Sequence, residues 1–245
     1  MMKRKLPFLV LLMLGINQLM AQEKIHFPSL DSLPITADFY KLDDTSPMIV
    51  LCHQGKFSRG EYLFTAKKFN DLGFNCIAID QRSGGEVNGI KNETAAAADS
   101  AQKKSTYLES EKDILAAVEY CYALTGQKVI LLGSSYSASL VLKIAKENEH
   151  VAAALAFSPG EYFDGKLNVH DTIEGLTKPV FIVCTPEEKA DVQFLIEGVH
   201  SAVKYFYVPE PRGVHGSRAL WPASVDSVYI WVQMQKFLRV AKKEI

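Results

Sequence analysis

The sequence predicts an α/β fold with about eight strands in one mostly parallel sheet, flanked by helices and without a separate lid domain. Three observations carry that expectation. Short, almost continuously apolar runs recur along the chain, as in strands covered on both faces. Segments with apolar residues at helical spacing lie between those runs. Strand and helix alternate many times over, which right-handed crossovers turn into a layered domain.

The chain has 245 residues, ample for one large core. Its first segment reads as a leader. Lys3, Arg4 and Lys5 precede an apolar stretch from Leu6 to Leu14, and a small residue, Ala21, stands before Gln22. That is the layout of a secretory signal peptide. The apolar stretch is shorter than the ~20 residues that span a bilayer. Cleavage after Ala21 is expected, leaving residues 22–245 as a single exported domain, periplasmic or secreted and free of the membrane. No cysteine lies near the cut, which argues against a lipoprotein anchor. Losing three basic residues and no acidic one leaves 24 Lys and Arg against 28 Asp and Glu, a formal charge of −4. With no dense basic patch, nucleic acid is not an expected partner.

After the leader, KIHFPSL and PITADFYKL alternate around a Leu-Asp-Ser-Leu turn and predict an antiparallel hairpin at a sheet edge. Six apolar runs then predict the remaining strands: Met48–Cys52, Asn75–Asp80, Val129–Leu132, Val151–Phe157, Val180–Cys184 and Val203–Val208. Helices are predicted around Leu63–Leu72, around Ile114–Leu124 with Gly126 as the stop, around Leu140–Ala145, over Val192–Val199, and over Val228–Leu238. The polar segment 84–104 is expected to be a solvated loop with one short helix, or a pocket wall. Segment 158–178 is too short for a lid domain.

Cys52, Cys76, Cys121 and Cys184 could pair in an exported chain. Cys52 is late in its strand and Cys76 early in its own, an offset of ~10 Å if the two strands are parallel neighbours. A disulfide tolerates about 7 Å. All four are therefore read as buried apolar residues.

The run VILLGSSYSASLVLKIA (Val129–Ala145) ends a buried strand and begins a helix within a few residues. So tight a corner needs small neighbours around a strained tip, as in the nucleophile elbow G-x-S-x-G. Gly133 takes the first glycine position, Ser135 the tip, and Ser137 replaces the second glycine. Ser134 then points away from the tip. A reactive serine also needs a base, an orienting acid and an oxyanion site. In elbow folds acid and then histidine follow the serine in the chain. His215, in GVHGSRALW after the last strand, is the expected base. His150, His170 and His200 also lie downstream, in less suitable places; His26 and His53 lie upstream. Past the strand VFIVC come Glu187, Glu188 and Asp191. Glu188 is the expected acid, with Glu187 and Asp191 as alternatives. The oxyanion donors are expected to be the backbone N–H of Tyr136 and that of Gly55 or its neighbour Gln54, in the loop HQGKFSRGEY. His53 is expected to order that loop.

Taken together, the HQG loop, the DQRSGG segment (Asp80–Gly85), GSSYS, the carboxylates after VFIVC and VHG around His215 resemble the α/β-hydrolase superfamily. Within it they resemble the compact, lidless dienelactone-hydrolase-like esterases. The resemblance covers nearly the whole chain after the leader. It implies an eight-stranded, mostly parallel sheet with one inverted strand, and esterase chemistry. The chain departs from dienelactone hydrolases proper in offering a serine rather than a cysteine nucleophile. It departs from the superfamily norm at Ser137, at Gln54 where a His-Gly pair is usual, and in a Glu acid. The expected activity is hydrolysis of a small-molecule carboxylic ester by Ser135, His215 and Glu188 through an acyl-enzyme. No metal or organic cofactor is expected. A binding protein that keeps the fold without the chemistry, and a peptidase, are the alternatives.

Overall fold

The computed structural model describes residues 22–245, so the leader expected over residues 1–21 lies outside the described residues. Strands β1 (Gln22–Pro28) and β2 (Pro34–Tyr40) form the expected antiparallel hairpin. Then come β3 (Met48–Cys52), α1 (Thr65–Asp71) and β4 (Asn75–Ile79). Segment 84–104 is more structured than expected. It holds a two-residue hairpin, β5 (Glu86–Val87) with β6 (Ile90–Lys91), before α2 (Glu93–Ser100). Two-residue strands leave no periodic trace in sequence; Asn88 and Gly89, both at positive φ, make the turn between them.

The second half alternates regularly: α3 (Glu111–Thr125), β7 (Val129–Ser134), α4 (Tyr136–Glu147), β8 (Val151–Phe157), α5 (Val169–Ile173), β9 (Val180–Val183), α6 (Lys189–Leu195), β10 (Lys204–Tyr207) and α7 (Ser227–Ala241). Gly126 ends α3 at φ 68°, donating its N–H to the Tyr122 carbonyl. A left-handed residue at this place costs glycine little.

The sheet order is β1-β2-β4-β3-β7-β8-β9-β10. From β4 to β10 every pairing is parallel, and β2 alone runs against both of its neighbours. That is the eight-stranded sheet with one inverted strand. Side chains of β3 alternate faces, Val50 and Cys52 to one core and Ile49 and Leu51 to the other. The first core packs against α3 and α4, the second against α1 and α7. Burial on both faces is why these strands read as unbroken apolar runs; each fully buried Leu or Ile contributes ~1.5–3 kcal/mol. Ile49 is in register with Cys76, which places Cys52 opposite Ile79. All four cysteines are buried and free.

Parallel strands collect their carboxyl ends at one rim, where open α/β sheets place ligands. The chain leaving β3, β4, β7, β8 and β9 meets at that rim.

Candidate active site

Between β7 and α4 a single residue turns the chain. Ser135 has φ 59° and ψ −124°, a conformation that costs a non-glycine residue ~1–3 kcal/mol. The corner is held from both sides. The Ser135 N–H donates to the Phe157 carbonyl at 2.8 Å, and the Ala138 N–H donates back to the Ser135 carbonyl at 2.8 Å. Gly133 is obligatory here, because a Cβ would stand 2.3 Å from the Ser137 carbonyl oxygen. Ser137, where the motif has glycine, is accommodated by two buried hydrogen bonds. Its hydroxyl donates to the His53 carbonyl at 2.6 Å and accepts from Gln81 Nε2 at 2.7 Å.

The His215 ring lies between two partners. Nε2 is 2.9 Å from Ser135 Oγ, and Nδ1 contacts Glu188 Oε1. Glu188 is fixed in turn: its Oε2 accepts the Ser158 hydroxyl at 2.7 Å and the Thr185 N–H at 2.9 Å. Burial alone would raise the Glu188 pKa. Hydrogen bonds from His215, the Thr185 N–H and Ser158 outweigh it and hold the carboxyl at about 2. The carboxylate form is thus secured beside the imidazole. Among the three candidate acids, Glu188 alone reaches the ring; Glu187 and Asp191 are exposed.

On the β3 side, the loop after Cys52 is ordered by His53, as expected. This buried ring donates from Nδ1 to the Gln54 carbonyl at 2.8 Å and accepts the Gln81 N–H on Nε2 at 3.0 Å. Burial holds its pKa down at about 4, so it stays neutral. Gln54 does not fit as an oxyanion donor, because its N–H is already engaged with Glu61 Oε2 at 2.9 Å. The Gly55 N–H, in contrast, donates to no protein acceptor among the described residues. A Cβ at Gly55 would stand 2.5 Å from the Tyr107 hydroxyl, so any larger residue would have to push that ring aside. Tyr136 opens α4, and a first helical residue has no intrahelical acceptor for its N–H.

Three residues at this rim escaped the sequence reading. Ser158 sits at the end of β8, with φ 54°, and ties the acid to the histidine loop by accepting the Gly216 N–H at 3.0 Å. A serine just past a strand that neighbours the acid's strand is the one signal that could have found it. Tyr107 stacks on Tyr136 with ring centroids 4.2 Å apart. The Tyr162 hydroxyl lies beside Ser135 and donates to the Ser158 carbonyl at 2.9 Å; burial raises its pKa to about 12. Neither tyrosine belongs to a motif. Among the described residues no three His, Cys, Asp or Glu side chains converge to hold a metal ion.

No family model matches the sequence, and no curated protein matches it. Solved structures do. The esterase Pf2001 of Pyrococcus furiosus superimposes with a TM-score of 0.68 at 17% identity, over 90% of this chain and 92% of that one. A dienelactone hydrolase from Anabaena variabilis gives a TM-score of 0.67 at 12% identity, over 89% and 97%. A putative dienelactone hydrolase from Klebsiella pneumoniae gives 0.68 at 15%, over 89% and 98%. The chain has the α/β-hydrolase fold. In that α/β-hydrolase frame the elbow follows the strand β7 at the middle of the sheet order, between β3 and β8, and Glu188 and His215 follow it in the chain order that the fold prescribes.

Proposed function

We propose that the protein is an exported serine hydrolase that cleaves a small carboxylic ester through an acyl-enzyme. The observation that carries this reading is the His215 ring, with Nε2 2.9 Å from a strained Ser135 Oγ and Nδ1 on a carboxylate. Ser135 Oγ attacks the ester carbonyl while His215 Nε2 takes its proton. Glu188 holds the tautomer that leaves Nε2 free and stabilises the imidazolium that forms. The oxyanion receives the N–H groups of Tyr136 and Gly55. Collapse expels the alcohol, which takes the proton back from His215. Water, deprotonated by the same ring, then frees the acid and restores the serine.

A small substrate suits the short β8–β9 connection, whose only helix is the five-residue α5. Export rests on the basic and apolar leader with Ala21 at its end; an exported protein whose mature chain begins at Gln22 supports it, and a retained leader refutes it. The chemistry is tested with a fluorophosphonate probe and short-chain nitrophenyl esters. Wild type should label and turn over, and Ser135→Ala should do neither while keeping its fold. A wild type that fails to label would leave a ligand-binding protein as the reading, and turnover by Ser135→Ala would remove the serine from the chemistry.

A further inference from the structure

The loop after β3 delivers a carboxylate that the chemistry just described does not use. Glu61 lies in the one-turn helix Arg59–Tyr62 and is fully buried. Its side chain accepts three hydrogen bonds, each from a different arm of the site. Oε2 takes the Gln54 N–H at 2.9 Å, in the loop that carries Gly55. Oε1 takes the Ser134 hydroxyl at 2.8 Å, next to the nucleophile, and the Ser217 hydroxyl at 2.6 Å, two residues past His215. The Ser217 N–H also donates to Ser134 Oγ at 2.8 Å, and Trp221 Nε1 donates to the Glu61 carbonyl at 2.9 Å. Space is tight around the cluster. A Cβ on Gly216 would stand 2.5 Å from both Gln54 Oε1 and Ser134 Oγ. Burying a carboxylate is costly unless hydrogen bonds satisfy it, and every partner of this one is a donor.

We infer that Glu61 is the positioning residue of the site, one buried carboxylate that sets the oxyanion loop, the nucleophile corner and the histidine loop in mutual register. The inference rests on the hydrolase reading. Glu61 touches no reacting atom; it acts through Gln54, Ser134 and Ser217. Its importance comes from geometry, because reacting groups displaced by about 1 Å can lose two orders of magnitude in rate.

Glu61→Gln is the informative change. Its amide oxygen can keep both serines, but its NH2 then faces the Gln54 N–H, donor against donor. We expect the fluorophosphonate labelling rate and ester kcat, each per folded molecule, to fall at least about tenfold, with KM within about threefold. Ser217→Ala removes one donor and leaves Glu61 in place; a fall of about threefold or more is expected. A residue that only stabilised the fold would lower the melting temperature and leave these rates alone. Unchanged rates in Ser217→Ala and in folded Glu61→Gln, beside a reactive wild type, overturn the inference and spare the hydrolase reading. Should Glu61→Gln not fold, the rate of Ser217→Ala decides by itself. A wild type inert to the probe overturns both.

Discussion

The Ser158 hydroxyl donates a hydrogen bond to Glu188 at 2.7 Å, on the carboxylate oxygen that His215 does not use. The same oxygen of Ser158 receives the Gly216 N–H at 3.0 Å. One side chain thus restrains acid and base together. Hydrogen bonds to charged groups contribute ~1.5–3 kcal/mol, and part of that is orientation of the ring. Ser158→Ala should lower kcat/KM by about tenfold. Steady-state kinetics of wild type and Ser158→Ala on one nitrophenyl ester decides it; an unchanged kcat/KM in Ser158→Ala would show that the acid is held without it.

Glu188 also ties stability to pH. Its pKa falls from the ordinary 4.5 to about 2 in the folded chain. A depressed carboxyl pKa stabilises the fold fully above the unfolded value, and that stabilisation is lost as pH falls toward the folded one. The window therefore runs from about pH 5 down to about pH 2, with a contribution on the order of 3 kcal/mol at its upper end. Melting curves of wild type and Glu188→Gln should differ most at neutral pH and converge across this window. Curves that stay parallel through it would contradict the shift.

At the elbow, the usual glycine in place of Ser137 should be a loss here. Ser137→Gly removes the hydrogen bonds to His53 and Gln81 and adds backbone freedom inside α4. Together these should cost about 2 kcal/mol, with kcat/KM within about threefold of wild type. A shift in the urea midpoint measures the first quantity. Gly133→Ala should be worse in both respects, since its methyl meets backbone rather than a movable side chain.

Tyr107, stacked on Tyr136 with its hydroxyl over Gly55, walls the loop after β3. Tyr107→Ala should open that wall and raise the kcat/KM ratio of longer to shorter acyl esters by about tenfold, as removal of apolar contacts alters selectivity by 1–3 kcal/mol. Tyr107→Phe keeps the stack and should keep the ratio. An acyl chain-length series on the three proteins is sufficient, and an unmoved ratio would place the acyl group elsewhere.

The architecture was legible because burial on both faces writes itself into composition. Val129–Leu132 and Val151–Phe157 read as strands for the reason that both of their faces are covered. The convergence of Ser135, Glu188 and His215 was legible because chain order and strand ends confine where each can stand. The hairpin Glu86–Val87 with Ile90–Lys91 was not, being too short for any period. Nor was the engagement of the Gln54 N–H, which depends on a glutamate seven residues away curling beneath its own loop. Ser158 and Tyr162 reach the site by tertiary placement alone. Contacts of that kind leave no spacing to read.

Four thiols sealed beneath strands and helices have neither a mate nor ready access to an oxidant. Among the described residues a reductant therefore has no crosslink to sever. The chain's durability then rests on close packing and on buried ion pairs such as Arg82 with Asp113, equal in either redox climate.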